Sequence, residues 1–165
     1  MTLKLTLLSV VIFLFTSSFG QIKIEDLKID STITGFHFAA DFQGTIVFTK
    51  NGPPDIQTIN PTAFSFTIAP GITAAAAKEQ LEVMLTMSKE NGYTITNLQT
   101  KDTTLSGFTA YYVSYIETDK SNNYKNMIFN SFVIKDDTMI IFVSGDLDDG
   151  KYIEKFKRTF FSIKL

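Results

Sequence analysis

The sequence predicts a single α+β domain built on a largely antiparallel β-sheet that is flanked by helices. Segments with strand character follow one another through short turns rich in Asp, Asn and Gly, which is typical of antiparallel pairing. Two segments of helical composition stand apart from the strands, one in the middle of the chain and one at its end. The length of 165 residues fits one domain of ordinary size.

The first 20 residues have the layout of a secretory signal peptide. Lys4 precedes the run Leu5–Phe15, which is almost wholly apolar, and small and polar residues follow it. Ser18 and Gly20 occupy the small-residue positions before a cut, so we predict cleavage after Gly20. The apolar run is short for a spanning helix, which needs about 20 residues. An uncleaved membrane anchor is the alternative.

This layout predicts a periplasmic or secreted protein. The chain contains no cysteine, which excludes disulfides, thiolate metal sites, cysteine nucleophiles and lipid attachment through a thiol at the cut. Residues 21–165 therefore have to be held together by packing alone. An apolar fraction of 44% is sufficient for that.

The charge balance excludes some partners. A formal net charge of −2 gives no sign of the basic face that nucleic-acid binding requires. It also gives no sign of the polybasic cluster of a membrane-surface binder, although a local patch can exist within a near-neutral total. We expect no nucleic-acid partner, and membrane contact only through an uncleaved signal segment.

Residues 21–60 are predicted to contain a hairpin and a proline-rich loop. GFHF (35–38) and GTIVF (44–48) have the composition of two short strands. KNGPPDIQTINP (50–61) holds three prolines and an Asn-Gly pair, so we expect a loop there. Because this region is too short to bury a core of its own, it belongs to the same domain as residues 63–165.

Residues 63–165 are predicted to form the main sheet and two helices. AFSFTIAP (63–70) alternates apolar and polar residues, which predicts a half-buried strand. From Thr73 to about Glu90 most residues are strong helix formers. We expect Thr73 to cap this helix and Gly92 to take the left-handed conformation past its end.

Four strand-like segments follow the helix: YTITNLQT, FTAYYVSYIE, YKNMIFNSFVIK and TMIIFVSG. The run MIIFV (139–143) is apolar at every position, and both alternating sets of the second segment are largely apolar. This pattern indicates strands buried on both faces, so a helix or the N-terminal hairpin has to cover the second face. The turn Lys135-Asp136-Asp137 is predicted to join the last two strands as a tight hairpin.

The stretch GDLDDGKY (145–152) resembles a metal-binding loop more than any other segment does. An EF-hand calcium loop needs alternating oxygen ligands, a central glycine and a closing glutamate. Counted from Asp146, Lys151 falls where the glycine is required and Lys157 where the glutamate is required. The register therefore fails, and we expect no metal ligands among these aspartates.

We interpret the same stretch as the start of the last helix. This helix is predicted to begin at Asp148 or Asp149 and to run to about Phe161. The aspartate oxygens would accept hydrogen bonds from the N–H groups of the first turn, and their charges would complement the helix dipole.

No catalytic, cofactor-binding or metal site is predicted, and we expect the chain not to be an enzyme. His37 is the only histidine, so a Ser-His-Asp triad would have to use it. The chain has no G-x-S-x-G motif, no P-loop and no G-x-G-x-x-G motif. Glu25, Asp26 and Asp41 could supply a glycosidase pair, but acidic residues near turns are usually solvated.

The chain has 16 Phe and 6 Tyr but no Trp. Such a composition predicts a core rich in aromatic rings. The alternative is an apolar groove for a lipid or for a hydrophobic segment of a partner.

The C-terminal half carries a set of features that occur together in one family: GFTAYY from Gly107, the hairpin YKNMIFNSFVIKDDTMIIFVSGD, and a last helix with Tyr152, Phe156, Ser162 and Ile163. In these features the chain, from Ala63 to Leu165, resembles the PsbP-like superfamily, which includes the DcrB envelope proteins of bacteria. The resemblance implies an antiparallel sheet sandwiched between helices. It also implies an accessory, chaperone-like or assembly role without catalysis, and it transfers no site residue.

We therefore expect an exported, non-catalytic accessory or binding protein of the bacterial cell envelope, whose partner is another envelope or secreted protein. A carrier of a small apolar ligand or lipid is one alternative, and a hydrolase with an unrecognised site is another. An exposed apolar surface would favour the first, a closed phenylalanine-lined cleft the second, and His37 beside a serine and a carboxylate the third.

Overall fold

The computed structural model of the chain describes residues 27–58 and 61–165. The predicted signal peptide and the acidic residues Glu25 and Asp26 lie outside these ranges. In chain order, the strands and α-helices of the described residues are β1 (His37–Phe42), β2 (Thr45–Thr49), β3 (Ala63–Pro70), α1 (Ala74–Glu90), β4 (Tyr93–Leu105), β5 (Phe108–Asp119), β6 (Lys125–Lys135), β7 (Thr138–Asp146) and α2 (Ile153–Phe161).

The strands form one seven-stranded sheet in the order β1-β2-β3-β7-β6-β5-β4, and every neighbouring pair is antiparallel. This confirms the predicted single α+β domain with an antiparallel sheet. The N-terminal hairpin extends the sheet at one edge, so it does not cover a face. The long-range pair β3 and β7 lies near the centre and joins the hairpin to the C-terminal strands.

Three of the hairpins turn through two residues with positive φ: Gln43-Gly44, Ser106-Gly107 and Asp136-Asp137. Turns of this kind match the right-handed twist of the strands that they join. Asp136 and Asp137 have φ values of 48° and 60°, which confirms the predicted tight hairpin between β6 and β7. Asp tolerates this conformation because its short side chain can form local hydrogen bonds.

The face under α2 carries the larger core. Phe64 on β3 stacks on Phe48 and Phe142, with ring centroids 4.9 and 5.6 Å apart. Phe156 of α2 meets Phe64 edge to face at 5.7 Å. These rings fix both the N-terminal hairpin and α2 to the middle of the sheet. The buried residues of this core are Leu27, Phe36, Phe64, Phe66, Leu105, Ala110, Phe129, Val133, Ile140, Phe142, Tyr152, Phe156, Phe160 and Ile163.

The opposite face carries α1, which lies over β4 and β5. Val133 belongs to the core under α2, whereas the adjacent Phe132 packs with Ala77 and Leu81 of α1. Successive strand residues point to opposite faces, so the two helices flank the sheet from its two sides. Both residues of β6 are buried, as the apolar pattern of the central strands predicts.

The boundaries of α1 agree with those predicted. The helix begins after Thr73, whose side-chain oxygen accepts a hydrogen bond from the Ala76 N–H at 3.2 Å. It ends at Glu90, and Gly92 takes a φ of 92°. Cap and stop are both local features of the sequence, which explains why the pattern suffices to predict them.

Candidate functional site

The single histidine lies on strand β1, which also carries Asp41. His37 is an exposed residue at the start of β1. It pairs with Thr49, whereas Asp41 pairs with Ile46, three residues away on β2. His37 and Asp41 therefore point to opposite faces of the sheet. Within residues 27–58 and 61–165, no group of three or more His, Asp or Glu side chains is placed to hold a metal ion.

The acidic loop before α2 is held by one buried aspartate. Asp146 is 1% exposed, and its two carboxylate oxygens accept hydrogen bonds from the N–H groups of Asp148 at 2.9 Å and Tyr152 at 2.5 Å. The loop is also held by a hydrogen bond that the Leu147 N–H donates to the Thr62 hydroxyl at 3.0 Å. The carboxylate closes the loop at the start of the last helix, so its oxygens are engaged by the chain itself.

The predicted start of the last helix was wrong by about one turn. The helix begins at Ile153, and Asp148 and Asp149 are exposed residues of the preceding turn. Asp149 and Gly150 have φ values of 53° and 81°, which are not helical. A Cβ atom on Gly150 would also collide with the Met127 sulfur. Asp146, rather than the two later aspartates, accepts the side-chain hydrogen bonds at this junction, from Asp148 and from Tyr152, the residue before the helix.

The buried aromatic rings fill the interior of the domain. Phe129 contacts the rings of Phe142 and Phe160 at centroid distances of 5.8 and 6.1 Å. Phe66 contacts the Phe142 ring at 5.0 Å. Rings at these distances are in mutual contact. This packing agrees with the prediction that the aromatic residues form a core.

Burial raises the pKa of the Tyr115 hydroxyl above its ordinary value, and the Glu117 carboxylate adds to the effect. Tyr115 packs with Val113 and Ile128 in the cluster under α1. Its ring therefore belongs to the packing of that face and remains protonated at physiological pH.

The sheet of the described residues ends on two edge strands of different character. β4 is the long edge, with 13 residues, and nearly all of its exposed side chains are polar. Its pairing with β5 is interrupted by a bulge at Asn97 and Leu98, and Asn97 has a φ of 54°. An ion pair joins Asp102 to Lys78 of α1. Bulges and charges of this kind prevent other strands from pairing with an edge.

β1 is the short edge, with six residues. Among the described strands it pairs with β2 alone, and it carries no lysine or arginine. Phe38 and Phe42 are 52% and 46% exposed. An extended segment of another protein that pairs with this edge could cover these aromatic side chains. β1 is therefore the candidate docking edge.

A bulge in β1 places these two rings on different faces. The register shifts between Phe38 and Ala40. As a result Phe38 pairs with Phe48, while Phe42 pairs with Thr45 on the other face of β2. The Phe38 and Phe48 rings meet edge to face at 6.4 Å. A strand added at this edge would therefore meet one exposed ring on each face of the sheet.

The loop that follows β2 packs against the candidate edge strand β1. Asp55 accepts hydrogen bonds from the Asn51 backbone N–H at 2.8 Å and from its side-chain amide at 3.0 Å. These hydrogen bonds hold the pKa of the Asp55 carboxyl below its ordinary value. A Cβ atom on Gly52 would lie 3.1 Å from the Phe38 carbonyl oxygen. The loop thus lies close against the first half of β1.

Sequence reasoning did not single out this edge. The signal that could have identified it is the segment HFAADF, in which two phenylalanines flank a short strand without a lysine. Its edge position follows only from the β3–β7 pairing, which no local pattern indicates.

No family model matches the sequence, and no curated protein matches it. Among solved structures, the fold is similar to that of cyanobacterial PsbP (CyanoP) from Synechocystis sp. PCC 6803, with a TM-score of 0.56 and 15% identity over 90% of this chain and 98% of the other. A protein of unknown function from Pseudomonas aeruginosa, PA94, aligns with a TM-score of 0.48 and 13% identity over 77% of this chain and 86% of the other.

The likeness to CyanoP shows that this chain has a PsbP-like fold, which confirms the predicted resemblance at the level of the fold. Within the described residues, no helix has the length and apolar character that crossing a membrane requires.

Proposed function

We propose that this chain is an exported, non-catalytic accessory protein of the bacterial cell envelope, of the DcrB type, which binds another envelope or secreted protein through the outer edge of β1. The observation that carries the proposal is an edge strand with two exposed phenylalanines and no lysine. The PsbP-like fold supports it by analogy.

The backbone of β1 supplies the affinity in this proposal. An edge strand presents N–H and C=O groups that an extended segment of a partner can pair with, as in recognition by strand addition. β1 is also stably positioned, because Ala39 packs with Val47 and Ala63 beneath it. A docking edge that is already ordered loses little entropy on binding.

The two rings supply the specificity. Phe38 and Phe42 lie on opposite faces, so each would contact one of two alternating side chains of the added strand. A partner segment with apolar residues on both of its faces would fit this edge. Aromatic anchors of this type often dominate binding free energy in protein interfaces.

Affinity capture tests the proposal. Tagged protein spanning residues 21–165 is mixed with envelope extract from the organism that makes it, and retained proteins are identified by mass spectrometry. We expect a protein that the unmodified chain retains and that the double variant Phe38→Asp/Phe42→Asp loses.

The control is Leu98→Asp, which introduces one negative charge on the opposite edge at a residue that is 48% exposed. It should retain the partner. If both variants lose the partner equally, or if neither loses it, β1 is not the docking edge. Circular dichroism of each variant checks that the sheet is intact.

The proposed export has its own test. The mass of the protein purified from its native host should correspond to a chain that begins at Gln21. A chain that still carries residues 1–20 would support the uncleaved anchor in its place.

A further inference from the structure

The positive charges of the chain are unevenly distributed. Six of its 15 basic residues lie on α2 or directly beside it, namely Lys28, Lys151, Lys155, Lys157, Arg158 and Lys164. The near-neutral net charge of the whole chain conceals this grouping. We call these residues, together with Phe161, the α2 surface.

Most of these cations face solvent. Lys151, Arg158 and Lys164 are exposed, and Lys155 is half-buried. The ammonium groups of Lys151 and Lys155 both lie 5.4 Å from the centroid of the Tyr152 ring. Cation–π contacts hold both charges at this ring.

The exposed acidic residues near α2, Asp30, Asp148, Asp149 and Glu154, offset part of this charge and leave an excess of two positive charges over the six cations. Glu154 pairs with Lys157, with Nζ and Oε1 2.7 Å apart. Asp148 and Asp149 precede the helix, whereas Arg158 and Lys164 lie at or beyond its last turn. Cations at a helix C-terminus complement its dipole, but that effect does not require Lys28 or Lys151, which lie outside the helix.

An exposed aromatic ring accompanies the cations. Phe161 is the last residue of α2 and is 40% exposed. Its inner edge contacts the rings of Phe160 and Tyr112 at 5.1 and 6.3 Å. Helices that bind at the surface of a bilayer combine cations with apolar side chains; in α2 Phe161 is the ring available for such contact, because Phe156 and Phe160 are buried in the core.

The N-terminal end of the described chain lies on the same side. Leu27 is buried in the core under α2, and Lys28 pairs with Lys164 through a β-bridge. The segment that leads from the apolar run Leu5–Phe15 therefore joins the domain beside the α2 surface. If that run is retained, it connects to the domain at the α2 side.

We propose that the α2 surface binds the headgroups of anionic phospholipids and orients the domain on a membrane. The negative surface potential of the membrane attracts the Lys and Arg side chains. Phe161 contacts the boundary between the headgroups and the acyl chains. The inference is independent of the proposed protein partner.

Sedimentation with vesicles tests the proposal. The chain from Gln21 to Leu165 is mixed with vesicles of phosphatidylcholine alone or of phosphatidylcholine with phosphatidylglycerol. We expect binding to the anionic vesicles only, and release at high salt because the attraction is screened. Binding to neither vesicle, equal binding to both, or binding that is indifferent to salt would overturn the proposal.

Charge-reversal variants locate the surface. Lys155→Glu/Arg158→Glu should weaken vesicle binding by at least about 25-fold, since each cation near an anionic bilayer contributes about fivefold. Lys89→Glu/Lys120→Glu makes the same change in net charge away from α2 and should bind as the unmodified chain does. An equal loss in both variants would contradict the assignment to α2.

Discussion

The two edges of the sheet differ in how they exclude other strands. β4 is long and polar, carries a bulge, and is joined to α1 through the Lys78–Asp102 ion pair. β1 is short, carries no basic residue, and exposes a phenylalanine on each face. Both edges contain a bulge, so the bulge alone does not determine whether an edge is open. The exposed side chains differ: they are nearly all polar on β4, whereas β1 exposes two phenylalanines, and the proposed docking at β1 rests on this difference.

The largest effect is expected from the ring that attaches the β1 side to the sheet centre. Phe64→Ala should lower the free energy of unfolding by about 3–5 kcal/mol, because it leaves a cavity among Phe48, Phe142 and Phe156. Urea unfolding monitored by circular dichroism measures this change. Phe161→Ala removes the same side chain at an exposed site and should cost about 1 kcal/mol or less. Similar losses in the two variants would mean that the stacked rings do not anchor this edge.

A smaller effect is expected on binding at the open edge. Phe38→Ala and Phe42→Ala should each lower the affinity for the captured partner by about tenfold or more. Aromatic anchors at interfaces often contribute about 2 kcal/mol or more to binding. Their stability should change little, because both rings are largely exposed. Titration calorimetry with the purified partner measures the affinity, and Leu98→Ala is the control. A loss of affinity in Leu98→Ala alone would mean that the partner binds at β4 and not at β1.

A still smaller effect is expected at the protected edge. Lys78→Ala removes the ion pair with Asp102 and the contact of its ammonium with the Tyr111 ring. Both partners are partly exposed, so the free energy of unfolding should fall by about 0.5–1 kcal/mol. At high salt the loss of stability should be smaller, because salt already screens the ion pair in the unmodified chain. A loss several times larger would mean that this pair is essential to the attachment of α1 to β4.

The smallest effect concerns pH and the loop beside β1. The pKa of Asp55 is lower in the folded chain than its ordinary value of 3.8. Its contribution to stability is therefore present above that value and is lost as the pH falls through the folded pKa. Asp55→Asn should remove this part of the acid dependence of thermal unfolding, whereas Asp41→Asn should leave it in place. Identical acid profiles for Asp55→Asn and the unmodified chain would contradict the assignment.

Local patterns predicted most elements of this fold. Alternation placed β3 from Ala63 to Pro70, and the Thr73 cap with the Gly92 stop placed α1. Such signals lie within a few residues of the element that they define. The start of α2 could not be predicted in this way, because a turn with left-handed residues, held by the hydrogen bond from the Tyr152 N–H to Asp146, separates the aspartates from the helix.

Neither proposed surface could be identified from the sequence, and for a common reason. β1 becomes an edge only because β3 pairs with β7, two segments that are far apart in the chain. Lys28 joins the α2 surface only because it reaches Lys164 from the other end of the domain. Composition averages over such long-range arrangements, so a net charge of −2 does not indicate a basic face.

The position of β7 between β3 and β6 has a consequence for how the protein is made. Among the described strands β7 is the last in chain order, so the hairpin and β3 cannot join the C-terminal strands until β7 has been synthesised. Closing so long a loop is slow compared with forming local hairpins. A nascent chain of this topology therefore stays incompletely folded until β7 has been made. A channel that translocates unfolded polypeptides requires such a chain.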